Sequence, residues 1–175
     1  MSSIKLINAS CVEQEVDVIV NAANRNLQAG AGICGAIFNK AGYRELQDAC
    51  DKYQRPLKDG EVAITPAFNI KNAKYIIHAV GPDFSKTPNA FMELFNAYYN
   101  SMKTLIENNL HTIAFPLISS GIFGGRLDNP PQESAKQSLK AYKKIVEDYK
   151  EYDIDVILCA YTESEYESAR KEIEF

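Results

Sequence analysis

Gly30, Ala31 and Gly32 stand together with almost no side chain among them, so their backbone N–H groups can approach a ligand closely. The apolar, β-branched run Val16 to Val20 before them reads as a buried strand. After them, Ile33, Ile37 and Ala41 fall on one helical face. A helix starting there points its positive end into the same space, which makes an anion site suited to phosphate. The letters GAGICG, Gly30 to Gly35, also fit the G-x-G-x-x-G fingerprint of an NAD-linked oxidoreductase. In that fingerprint the first glycine turns straight off the strand, and an acidic residue about twenty positions on meets the ribose. Here NAANRNLQA, Asn21 to Ala29, intervenes, and Asp51 lies in a charged helical run, so the phosphate reading is kept over the dinucleotide one.

The four cysteines, Cys11, Cys34, Cys50 and Cys159, are scattered without the paired spacing of a zinc site, and reduced thiols are expected. His78 sits in an apolar run and reads as a core histidine, whereas His111 belongs to a turn. No metal set, Walker lysine or Ser-His-Asp arrangement is visible, and no cofactor is expected.

It is at Asn21 to Asn24, followed by the glycine loop, that the chain resembles a known family, the macrodomains, which bind ADP-ribose. IAFPLISSGIFGG, Ile113 to Gly125, is similar to the family's second binding loop, and Glu61 to Ile70 with Lys74 to Pro82 is similar to its framework strands. These segments come in the family's order over nearly the whole chain. The branch most resembled removes ADP-ribose from proteins and deacetylates O-acetyl-ADP-ribose. The resemblance implies ligand contacts from Ser10, Cys11, Asn24, Gly30, Ala31, Gly32, Ile33, Cys34, Ser119, Ser120, Gly121, Ile122, Phe123 and Tyr161.

Within that set, the amides of Gly30 to Cys34 and of Ser120 to Phe123 form two opposed nests for a diphosphate. Tyr161 stands where the family stacks an aromatic on adenine, and rim packing is the competing role. Ser10 falls where the family has an adenine-selecting aspartate, which gives up a charge-assisted bond. Asn24 offers donors and acceptors to the distal ribose without repelling phosphate. A turn-capping role is its alternative, one that Asn21 fits better. Phe123 either presses the ribose toward reaction or anchors its loop. Cys34 occupies the position of a family aspartate able to activate water, and cysteine is a poor substitute for a base. A thiolate nucleophile at Cys34 is disfavoured beside a diphosphate, and a small buried packing residue is the preferred reading. Ala29 and Ala31 stand where the family has glycine, at a cost of about 1 kcal/mol or more if either needs positive φ. A non-catalytic reader of ADP-ribosylated proteins remains the alternative to a hydrolase.

Six apolar runs read as strands: Ile4 to Ala9, Val16 to Asn21, Glu61 to Thr65, Tyr75 to Val80, Thr112 to Ile118 and Asp155 to Tyr161. Helical patterns alternate with them. Gly42 ends one, and Leu46, Ala49, Cys50 and Tyr53 mark a second. Thr87 and Pro88 open a third bearing an aromatic stripe from Phe91 to Ile106. Asn129 with Pro130 and Pro131 opens a fourth, and the capping box Thr162 to Glu165 opens a last one running close to Phe175. The alternation predicts an α/β/α three-layer domain on a mixed, mainly parallel six-stranded sheet, with both loops of interest at the strands' carboxyl ends.

At 175 residues, 46% of them hydrophobic and 24% charged, the chain has the length and composition of one globular domain. The net charge of −4 argues against a general nucleic-acid or membrane-surface binder, so an anionic ligand must be met locally by amides. No segment approaches the ~18 apolar residues of a membrane span, and a soluble cytoplasmic protein is expected.

Overall fold

The structure is a computed structural model and describes residues 1–173. Strands β1 (Ser3–Asn8), β2 (Val18–Ala23), β3 (Val62–Pro66), β4 (Tyr75–Val80), β5 (Thr112–Pro116) and β6 (Asp155–Ala160) form one sheet in the order β1-β6-β5-β2-β4-β3. All neighbours run parallel except β3, which is antiparallel to β4. The helices are α1 (Gly32–Ala41), α2 (Tyr43–Cys50), α3 (Phe91–Glu107), α4 (Pro130–Asp148) and α5 (Glu163–Ala169).

Because strand side chains alternate between faces, each strand feeds two cores. Val18 and Val20, Ile77 and Ala79, and Ile113 and Phe115 pack under α3, α4 and α5. Ile19, Ile76, Val80 and Ala114 pack under α1 and α2, against Ile37, Phe38 and Leu46. These are the three layers expected. β2 therefore sends its chain to one face through α1, and β5 sends its chain to the other through α4, which makes the boundary between them the topological switch point.

That boundary is closed at one end only. β2 pairs with β4 through six residues, Val18 to Ala23, but with β5 only at Val18↔Ile113 and Ile19↔Ala114. Below the short ladder, the Asp17 carboxylate accepts the N–H groups of His111 (2.9 Å) and Thr112 (3.1 Å), and Asp17 N donates to Thr112 Oγ1 at 2.7 Å. Burial raises the Asp17 carboxyl, but those amides and Lys74, whose Nζ is 3.3 Å away, outweigh it and hold the group below the usual carboxylate range. Above Ile19 the two strands part.

Several element boundaries differ from the sequence reading. β2 runs Val18–Ala23 rather than from Val16 to Asn21, because Asn21, Ala22 and Ala23 pair with His78, Ala79 and Val80. β5 ends at Pro116, two residues short of Ile118, since the proline has no N–H to extend the ladder. Thr87 and Pro88 do not cap α3; a turn carries the chain to Ala90, and the helix starts at Phe91. The capping box at Thr162 and Glu165 and the Asn129 cap with its prolines are present, but α5 closes at Ala169, and Phe175 lies outside the described residues.

Asp17→Ala would strand two donors at the closed end of the β2–β5 boundary. The expected loss is about 1–3 kcal/mol of stability, read as a lower urea midpoint at unchanged slope. An unmoved midpoint would mean that Asp17 does not pin the strands.

Candidate anion-binding cleft

Two loops leave the sheet where β2 and β5 part. The first, residues 24–31, is fastened from behind. Asn24 Oδ1 accepts Gln28 N at 3.0 Å while Asn24 Nδ2 donates to Gln28 O at 2.8 Å. Gln47 of α2 donates to Leu27 O at 3.0 Å and accepts Ala29 N at 3.1 Å, which locks the buried, left-handed Leu27 (φ 53°). Beyond this clasp Gly30, Ala31 and Gly32 are exposed. The N-cap of α1 is Ala31, which has no side chain to satisfy the first-turn amides, so these remain for a ligand. Ala31 is extended (φ −90°, ψ 177°) and Ala29 is not left-handed, so neither alanine is strained. The positive φ falls on Gly32, at 61°. Gly35 allows the tight approach of Gly30, whose carbonyl oxygen would lie 2.5 Å from a Cβ there.

The second loop, residues 117–125, is held by a relay from the helices. Ile118 N donates to Tyr98 Oη at 2.9 Å, and Ser134 Oγ donates to Ile118 O at 2.5 Å. With the serine proton so used, Tyr98 donates to Ser134 at 2.6 Å. Ser119 is left-handed (φ 58°) and buried, its Oγ donating to Pro82 O at 2.7 Å. A non-glycine residue held there costs of order 1 kcal/mol or more, and its neighbours hold it in place. Gly121, Ile122 and Phe123 then turn outward, Ile122 at 92% exposure, while Phe84 N donates to Phe123 O at 2.8 Å. A Cβ on Gly121 would meet nothing within 4 Å, so that amide lies on an open side.

The remaining predicted residues lie on the strands beyond β5. Ser10 caps a 3-10 turn, Cys11–Glu13, by accepting Val12 N at 3.3 Å. Ala9 N donates to Ala160 O at 3.0 Å, which sets Ser10 and Cys11 beside Tyr161 at the end of β6. The Cys11 thiol is buried, 3.8 Å from Val20 O, so only its backbone can face a ligand. Tyr161 is 75% exposed and lies outside the core.

Behind the first loop runs a buried polar row that the sequence reading missed. Asn21 Nδ2 lies 3.0 Å from His78 Nδ1 and 3.7 Å from Cys34 Sγ, and His78 Nε2 lies 3.0 Å from Thr65 Oγ1. Asn21 donating to Nδ1 leaves the proton of His78 on Nε2, toward Thr65. This corrects the turn-capping role expected of Asn21. Asn21 faces the core, and Asn24 makes the turn. The only sequence signal for the row was three polar residues, Asn21, Thr65 and His78, on strands otherwise apolar. Burial pushes the His78 imidazole down to about 4. Burial also pushes the Cys34 thiol up, against donation from Asn21 and from Gly30 N, so it is a protonated packing residue and no base.

The Macro domain family matches residues 20–137. The chain is a macrodomain. It is 36% identical to the ADP-ribose glycohydrolase MACROD1 of Mus musculus over 93% of its own length, yet spans only 49% of that relative. Among solved structures, the Oceanobacillus iheyensis macrodomain with ADP superposes at a TM-score of 0.87 with 30% identity, covering 98% of this chain and 90% of that one. The Trypanosoma brucei macrodomain in complex with ADP-ribose gives 0.84 at 26% identity, covering 97% and 68%. The dinucleotide reading of GAGICG falls with this family and with the geometry. In this macrodomain Gly30 follows a clasped turn rather than the strand, and Asp51 caps the end of α2.

The buried row makes folding pH-dependent. The native His78 stays neutral down to about pH 4 while the unfolded imidazole protonates near 6.5, so the unfolded state binds more protons between them. Stability should therefore fall as pH drops from about 6.5 to 4, by up to about 3 kcal/mol from this group. NMR titration should find the His78 ring still neutral at pH 5; a midpoint near 6.5 would contradict the geometry.

Proposed function

We propose that this macrodomain binds ADP-ribose and hydrolyses ADP-ribosyl esters, the carriers being mono-ADP-ribosylated proteins, O-acetyl-ADP-ribose or both. The observation that carries this reading is the pair of amide-lined loops facing each other where the β2–β5 ladder stops. A diphosphate between them takes N–H donors from Gly30 to Cys34 on one side and from Ser120 to Phe123 on the other. Adenine then lies toward Ser10, Cys11 and Tyr161, and the distal ribose toward Asn24 and Phe123. The Asn24 amide is already ordered by Gln28, so it meets ribose hydroxyls at little further entropic cost. Four buried, free cysteines fit a reducing, cytoplasmic setting.

In hydrolysis of a protein ester, a water oxygen bonds to the anomeric carbon of the distal ribose as the bond from that carbon to the ester oxygen breaks. The electron pair leaves with the carboxylate, and a proton passes to solvent. Cys34 cannot take that proton, so the rate comes from positioning and from amides oriented toward developing charge. The same feature favours a second reading, a reader that binds ADP-ribose without cleaving its attachment. Incubation with a mono-ADP-ribosylated carrier and with O-acetyl-ADP-ribose separates the two. Release of ADP-ribose is expected, whereas tight binding without release would establish the reader.

Cys34→Asp bears on the same question. Asn21 Nδ2 and Gly30 N already donate toward this position and would hold a carboxylate in the buried pocket. Turnover of an ADP-ribosyl ester should rise at least tenfold, toward the ~10²–10⁴ that a positioned base supplies. Affinity for ADP-ribose should stay level or fall, because the new charge faces the diphosphate. An unchanged rate in a folded mutant would show that no base is missing.

A further inference from the structure

A cavity of about 250 Å³ opens between Arg25, Asp59, Asp83, Lys86 and Phe123. Arg25 follows Asn24 directly, and Phe123 is the tip of the second loop. The cavity thus continues from the two residues to which the ADP-ribose reading gives the distal ribose, and the inference rests on that reading. Its walls are ordered. Leu57 N donates to Arg25 O at 2.9 Å, and Arg25 Nε and Nη2 donate to the two Asp59 oxygens, each at 2.9 Å. Gly81, on the wall itself, packs against Ile118 and Ser119 so closely that no Cβ fits.

The charges in this cavity are unequally occupied. Both Asp59 oxygens accept from Arg25, whereas Asp83 accepts Ser85 N and Oγ, at 3.0 and 2.6 Å, through Oδ1 alone. Among the described residues the Nη1 edge of Arg25 has no acceptor, and the exposed Lys86 makes no ion-pair contact, its charge acting on Asp83 only at longer range. The donors left over therefore suit oxygen acceptors. What extends past the anomeric carbon of an ADP-ribosyl ester is an acyl group. An acetyl group, at on the order of 30 Å³ for each water-sized heavy atom, fills less than half of the space. We infer that the cavity receives the acceptor segment of an ADP-ribosylated protein, a glutamyl or aspartyl ester with its adjoining backbone, and that Arg25 and Lys86 donate to its carboxyl and peptide oxygens. As the bond from the anomeric carbon to the carboxyl oxygen breaks, the charge passing to the carboxylate strengthens these bonds.

The test compares three ligands by calorimetry: ADP-ribose, a peptide carrying ADP-ribose through an uncleavable amide at a glutamyl position, and the same linkage ending in an acetyl group. Wild type should bind the peptide conjugate at least fivefold tighter than ADP-ribose, and the acetyl conjugate within twofold of it. Arg25→Gln and Lys86→Gln should each bring the peptide advantage to within twofold while ADP-ribose affinity changes less than twofold. Lys86 is exposed and its substitution leaves the fold intact, which covers any instability of Arg25→Gln. Equal binding of peptide conjugate and ADP-ribose by wild type overturns the inference alone, as does an advantage that survives both substitutions or is matched by the acetyl conjugate. A wild type that binds none of the three overturns the ADP-ribose reading and the inference with it.

Discussion

The cleft depends on β2 and β5 being held together at one end and free at the other. Asp17 ties the two strands below a ladder of only two residue pairs, and above Ile19 each turns to a different neighbour and a different face of the sheet. The loops that follow the two strands therefore stand apart, with space for a ligand between them. The chain has a net charge of −4, so it offers a diphosphate no general positive field. Amide groups fixed at the parting strands supply the attraction instead, and fixed dipoles need no reorganisation when the ligand arrives. The left-handed residues Leu27, Gly32 and Ser119 mark where the backbone is bent to aim them.

The polar row from Thr65 through His78 and Asn21 to Cys34 explains how the first loop can be rigid on so little side chain. A buried network fixes orientation when its members are satisfied, and among the described residues one buried atom, Asn21 Oδ1, has no partner. The row ends under Cys34 with donors suited to an anion, yet the residue present is a thiol kept protonated by burial. Binding and turnover are thus separable in this fold. The loops that would hold the phosphates do not need the Cys34 side chain, and any catalysis must be drawn from substrate geometry.

Much of this was legible in the sequence because the signals were local. Asn129 before two prolines, Thr162 three residues before Glu165, and the β-branched run ahead of the glycine loop each act within a few residues, and each element starts within two residues of where those signals put it. The misreadings share a different cause. The end of β2 is set by pairing with β4, so Asn21 faces the core, and the turn-capping role that it was expected to fit falls to Asn24. Thr87 and Pro88 fit a helix start, but the chain makes one more turn before Phe91. The ion pair of Arg25 with Asp59 joins residues 34 positions apart, and nothing near either one in sequence announces it. Local chemistry was readable, and long-range register was not.

The central claim is that amides of both loops, across the parted strands, form the anion site. Titrating ¹⁵N-labelled protein with ADP-ribose tests it residue by residue. The largest amide shifts should fall on Gly30 to Cys34 and on Ser119 to Phe123 together, with smaller shifts at Ser10, Cys11 and Tyr161. Shifts confined to one loop, or centred on residues outside both loops, would contradict the account.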